Sequence, residues 1–126
     1  MDVSRSKPKV AEFRMVVAAC GDLARSRDFY HDLFGLSVTM DHAPHWIELD
    51  LGNGTSLGLH PATGNFSVQP GSVQLGFTVP NVDRFVTDAR TMGTRILQEP
   101  FDASFGRLAI IGDPDGYAIQ VYTPRR

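Results

Sequence analysis

Hydrophobic and polar positions along this chain follow two periods in a fixed order, and that order occurs twice. Phe13 to Cys20 is a short apolar run of strand length. The spacing then becomes helical. Leu23, Ser26, Phe29, Tyr30, Leu33 and Phe34 form one stripe, with Asp22 where an N-cap belongs and Gly35 as the stop. Leu36 to Met40 reads as extended, and His42 to His45, with Pro44, as a loop. Trp46 to Leu51 alternates strictly, and Gly52-Asn53-Gly54 turns the chain back into a strand from Ser56 to His60.

From Val73 the plan starts again. Val73 to Val79 predicts a strand, and Asn81 caps a helix carrying Val82, Phe85, Val86, Ala89 and Met92, which Gly93 ends. Thr94 to Gln98, Arg107 to Ile111 and Tyr117 to Tyr122 predict the remaining strands, with Pro100 to Phe105 as a loop. Between the halves, Pro61 to Gly71 is a linker punctuated by Pro and Gly. The repeat also holds in detail: Leu51 to His60 and Asp113 to Tyr122 share the turn glycine, the apolar positions and the final ring. Such a repeat predicts an α+β fold of two tandem β-α-β-β-β modules, forming a curved mixed sheet around a cleft. The organisation expected is a polar leader over 1–11 and one domain over 12–126, with module 1 at about 12–62 and module 2 at about 72–124.

Alternation assigns the faces. Ile47, Leu49, Leu51, Leu57, Leu59, Leu75, Phe77, Ile119 and Val121 belong under the helices, which need a continuous apolar floor. The opposite face carries Met15, Val17, Trp46, Glu48, Ser56, Gly58, His60, Gln74, Gly76, Thr78, Gln120 and Tyr122. Polar and aromatic groups mixed on one sheet face read as the lining of a cleft. The face of Arg107 is open at this level.

Composition narrows the function classes. The chain has 126 residues, 42% hydrophobic and 21% charged, enough for one core of ordinary globular character. A net charge of −2 gives no basic face for nucleic acid, and Arg5, Lys7 and Lys9 in the leader read as solvated charges. No apolar stretch is long enough to span a bilayer, and the N-terminus lacks the apolar region of a signal peptide, so a cytoplasmic protein is expected. The lone Cys20 excludes an internal disulfide and reads as a small buried hydrophobe.

Gly21-Asp22-Leu23-Ala24-Arg25-Ser26-Arg27-Asp28-Phe29-Tyr30, Leu33-Phe34-Gly35-Leu36 and the terminal Asp113-Pro114-Asp115-Gly116 give the chain a further character. With the repeat, these segments resemble the vicinal-oxygen-chelate superfamily over Phe13 to Thr123: glyoxalase I, bleomycin-resistance proteins, extradiol dioxygenases and fosfomycin-resistance enzymes. In the metal-dependent members that this chain resembles, a divalent ion rests on four strand positions, mostly His and Glu. Carried over by the flanking motifs, those positions are Met15, Gly58, Gln74 and Gln120. A thioether, a glycine and two neutral amides supply no anionic charge and only weak donors. The resemblance therefore implies the fold and a shaped cleft, as in metal-free members that sequester drugs, with no metal and no cofactor. A homodimer is implied as well.

The candidate ligand-binding residues are Met15, Trp46, Glu48, Gly58, His60, Gln74, Arg107, Gln120 and Tyr122. Trp46 and Tyr122 offer rings for stacking on a flat ligand or for packing the cleft. Gln74 and Gln120 offer hydrogen bonds to a ligand or to each other. Arg107 suits a carboxylate or phosphate, or the surface. His60 with Glu48 is either a cleft-lining pair or a displaced acid/base or metal site. Asp41, His42 and His45 have chelating spacing, but sit in a loop broken by Pro44 and read as solvent-exposed. No G-x-S-x-G is present, and the glycines at 52, 54 and 58 belong to a hairpin, which cradles no phosphate. Three functions compete: metal-free binding of a small organic molecule, a metal-dependent lyase, isomerase or dioxygenase using His60 and Glu48, and a non-catalytic dimeric interaction domain. The donor set favours the first.

Overall fold

The structure, a computed structural model, describes residues 8–125; residues 1–7 of the leader, with Arg5 and Lys7, and Arg126 lie outside the described residues. Module 1 comprises β1 (Met15–Cys20), α1 (Leu23–Phe34), β2 (Val38–His42), β3 (Trp46–Gly52) and β4 (Thr55–Pro61). Module 2 repeats it with β5 (Gln74–Thr78), α2 (Val82–Thr91), β6 (Arg95–Ala103), β7 (Gly106–Gly112) and β8 (Ala118–Pro124). Hydrogen bonding yields two open four-stranded sheets, β1-β4-β3-β2 and β5-β8-β7-β6. In each, the first and last strands of the module run parallel side by side, and the other pairs are antiparallel.

Local chemistry sets the helix limits. Asp22 and Asn81, both extended at φ −148°, accept the backbone N–H of Arg25 at 3.1 Å and of Arg84 at 3.0 Å. This satisfies donors the first turn leaves free. Gly35 ends α1 in the left-handed region, φ 69°, and donates its N–H to His31 O. Any side chain there meets the left-handed penalty that glycine escapes.

One expectation is corrected. Pro100 to Phe105 is not a loop, because β6 runs on through Pro100 to Ala103 and turns only at Ser104-Phe105. β6 is an edge strand paired to β7 alone, and its register shifts between Gln98 and Phe101. Proline lacks an N–H to donate, and an edge irregularity is where a strand tolerates that lack.

The helices cover one face of the sheets. Ile47, Leu49, Leu57, Leu59, Ile119 and Val121 are fully buried there and belong to one core spanning both modules. Phe34 of α1 crosses the boundary to meet Phe77 at 4.6 Å and Phe85 at 5.2 Å between ring centroids. Each such side chain, fully buried, contributes about 1.5–3 kcal/mol. Met92, read as part of the α2 stripe, is instead 52% exposed at the helix C-cap. Among the described residues, no helix is long and apolar enough to cross a membrane.

The modules are joined by a polar latch. The turn before β8 pushes Asp113 and Asp115 against the start of α1. Tyr30 Oη donates to Asp113 Oδ2 at 2.7 Å, and Asp113 Oδ1 accepts the N–H groups of Asp115 and Tyr117, each at 2.9 Å. Asp115 accepts from Gly21 N at 3.0 Å and from Ser26 Oγ at 3.2 Å, while Tyr117 Oη donates to Ala19 O at 2.9 Å. Burial pushes the Asp113 carboxyl up, and its three donors oppose that shift by favouring the ionised form. Substituting Tyr30→Phe removes one of them from a buried acceptor. The expected loss is about 2 kcal/mol, seen in thermal unfolding as a Tm drop of roughly 5–10 °C; an unchanged Tm would show that the latch contributes nothing.

Candidate functional site

The face opposite the helices holds a tight group built on the β3–β4 hairpin. Glu48 pairs with Gly58 in register, so Trp46, two residues before Glu48, stands diagonal to Gly58. The benzo end of its indole lies over that glycine: a Cβ at position 58 would come within 2.5 Å of Trp46 Cη2 and 2.8 Å of Cζ2. The indole Nε1 donates to Glu48 Oε2 at 2.8 Å. His60 meets the Trp46 ring edge-on at 6.2 Å and the Phe66 ring at 5.9 Å, and its Nδ1 lies 2.7 Å from Pro61 O. Glycine at 58 is therefore the space that the indole occupies.

The other candidates are not drawn into this group by any hydrogen bond. Met15 is half-buried on β1 opposite Ser56. Gln120 pairs in register with Gly76 and Gln74 with Ala118, and no hydrogen bond joins the two amides. Tyr122 is half-buried against Phe105, with ring centroids 6.1 Å apart. Arg107 leaves the set altogether. Its parity on β7 is that of the buried Ala109 and Ile111, which places it on the helix side. There its guanidinium grips Asp83 of α2 through two bonds of 2.7 and 2.9 Å and Asp102 through one of 3.0 Å. Those hydrogen bonds raise the Arg107 pKa and hold Asp83 below the usual carboxylate range.

A cavity of about 270 Å³ opens nearby, between the β1 and β5 edges. Val17, Ala19, Leu57, Leu75, Tyr30 and Tyr117 line it, and the linker residues Asn65 to Ser72 fold over it. None of the nine candidate ligand-binding residues lines it. The one available hint was Val17 on the cleft face; that the linker returns to this seam is a tertiary fact with no local pattern.

The metal fit can be tested on the donors present. The four carried-over positions offer a thioether, a glycine covered by an indole, and two neutral amides. A divalent ion prefers imidazole, carboxylate or thiolate, so these residues do not fit one. Among the described residues, no three His, Cys, Asp or Glu side chains converge elsewhere. Cys20 is buried and takes no part, since burial pushes its thiol up to about 12.

Comparison with known proteins agrees with this architecture. The model of the Glyoxalase/Bleomycin resistance protein/Dioxygenase superfamily matches residues 13–121. An uncharacterised protein of Mycolicibacterium smegmatis is 31% identical over 113 residues, covering 90% of this chain and 94% of its own. The lactoylglutathione lyase GLX1 of Arabidopsis thaliana is 27% identical over 86% of this chain, which spans only 43% of that protein's length. Among solved structures, TnmS3, an antibiotic binding protein from Streptomyces sp. CB03234, superposes with a TM-score of 0.77 at 23% identity, over 94% of this chain and all of its own.

Two outcomes follow from the geometry. Gly58→Ala expels the indole, breaks its bond to Glu48 and costs about 1–3 kcal/mol. Trp46 is the chain's only tryptophan, so the displacement reads directly as a red-shifted emission; unchanged emission would mean that the ring does not rest on Gly58. Cys20 reacts with a disulfide reagent only after denaturation, and rapid labelling of the native protein would contradict its burial.

Proposed function

Since the chain belongs to the glyoxalase/bleomycin resistance protein/dioxygenase superfamily, we propose that it binds a small organic molecule between its modules without a metal. The observation that carries this reading is the Trp46 indole over Gly58. It fills the space from which a ligating side chain would project, and it presents a flat aromatic surface instead. Glu48 fixes the ring through its N–H, so the surface is held in place before any ligand arrives. Tyr122, Gln74 and Gln120 on the second sheet add a further ring and neutral hydrogen-bonding groups. The resulting site suits a partly aromatic molecule with polar substituents. That a fold neighbour is an antibiotic binding protein is consistent with this, at the level of the fold alone.

Lyase, isomerase or dioxygenase chemistry on a displaced metal would draw on His60 and Glu48. Glu48 Oε2 is already engaged by the indole, and among the described residues no third His, Cys, Asp or Glu joins the pair, which weighs against that use. In the same reading the protein is a cytoplasmic homodimer. The exposed Val38 and Met40 on β2, and Leu97 and Phe101 on β6, are apolar groups on edge strands that a second copy would cover.

The test joins elemental mass spectrometry of untagged protein, purified without chelator, to a thermal-shift panel of planar aromatic compounds. The expected result is substoichiometric metal, ligands that raise the Tm and quench Trp46 emission, and a smaller Tm shift from the same ligands in Trp46→Ala. Stoichiometric zinc, nickel or iron, or a panel without a single shift, would overturn the reading.

A further inference from the structure

The seam cavity lies beside the Trp46 group, touching it only through Phe66, and most of its wall is apolar. We propose that it is a binding site of its own, for a compact, uncharged, mostly apolar molecule of about ten non-hydrogen atoms. The proposal shares with the preceding section only that the chain binds small molecules; it assigns a different place and a narrower class.

Size comes first. A volume of about 270 Å³ equals about nine waters at ~30 Å³ each, room for a compact organic molecule. Val17, Ala19, Leu57, Leu75, Phe66 and Tyr117 form an apolar wall. Both tyrosine hydroxyls are already engaged: Tyr30 Oη donates to Asp113, and Tyr117 Oη donates to Ala19 O and accepts from Gln69 N at 3.4 Å. No Asp, Glu, Lys, Arg or His lines the space. An ion entering it would lose hydration and gain no partner, which excludes charged ligands. Water inside would find few partners along most of the wall, so an apolar molecule displaces it favourably.

The linker supplies the polar end. Gln69 Nε2 donates to Ser67 Oγ at 2.9 Å, and Ser72 Oγ donates to the Gln69 backbone oxygen at 2.7 Å. The side-chain amide of Asn65 makes no such bond among the described residues. With Gln69 Oε1, which also accepts none among the described residues, it can meet a hydroxyl or carbonyl on the ligand. The class is then a neutral ring system with one hydrogen-bonding substituent.

The probe is 1-naphthol, a neutral bicyclic phenol of about the right size, with 1-naphthalenesulfonate as its anionic counterpart. Both are titrated calorimetrically into the full chain, and the Val17 and Val73 methyl resonances are followed by NMR. Val73 is 56% exposed at the mouth, so Val73→Trp narrows the entrance without disturbing the core, and circular dichroism verifies its fold. The expected result is 1-naphthol binding that shifts both methyls, falls about tenfold or more in Val73→Trp, and survives in Trp46→Phe, with the sulfonate binding at least tenfold more weakly. Loss in Trp46→Phe with retention in Val73→Trp would overturn the seam site and leave the Trp46 site standing. Failure of 1-naphthol to bind the wild type would also overturn it, while the aromatic panel decides the earlier reading separately. Equal binding of the sulfonate would overturn the uncharged class.

Discussion

The structure depends on a buried carboxylate. The two sheets share no ladder among the described residues, so something other than backbone pairing must fix how the modules face each other. Asp113 does this by accepting the phenol of α1 on one oxygen and two backbone N–H groups of its own turn on the other. Asp115 extends the grip to Gly21 and Ser26, and Tyr117 returns a bond to Ala19. Burying charge is costly unless it is fully hydrogen-bonded, and this turn meets that condition from several elements at once. The apolar contact of Phe34 with Phe77 and Phe85 supplies adhesion, whereas the latch supplies orientation. Both the cleft face and the seam cavity are consequences of that orientation.

Within this frame the two sheets differ in character. The face of the first sheet is covered by Trp46, Glu48, His60 and Phe66, whereas Gln74, Gly76 and Thr78 on β5 are exposed. A repeat that is symmetric in backbone has thus become asymmetric in chemistry, one half aromatic and partly filled, the other amide-rich and open. The ligand of the proposed function would meet an aromatic ring on one side and neutral hydrogen-bonding groups on the other.

Much of this was legible in the chain because it is local. Caps at Asp22 and Asn81, the stop at Gly35 and the alternation from Trp46 to Leu51 each depend on a few neighbouring residues. The strand through Pro100 was hidden because proline punctuates strongly, and only its edge position and bulge make it tolerable. Arg107 was ambiguous until β7 parity was fixed by Ala109 and Ile111 on its helix side. The Trp46–Gly58 contact needs hairpin register and a rotamer together, and alternation predicts only that both share a face. The cavity was invisible, since the linker that roofs it carries the composition of any connector.

The pairing of Trp46 with Gly58 also constrains the order in which this chain can change. A histidine or glutamate at 58 has to displace the indole, so while position 46 keeps its tryptophan that step also costs the ring's bond to Glu48. Replacing Trp46 first has the opposite character, for it clears the space over 58 and releases the Glu48 carboxylate in one substitution. The two positions are thus epistatic: what a side chain at 58 costs depends on which residue stands at 46.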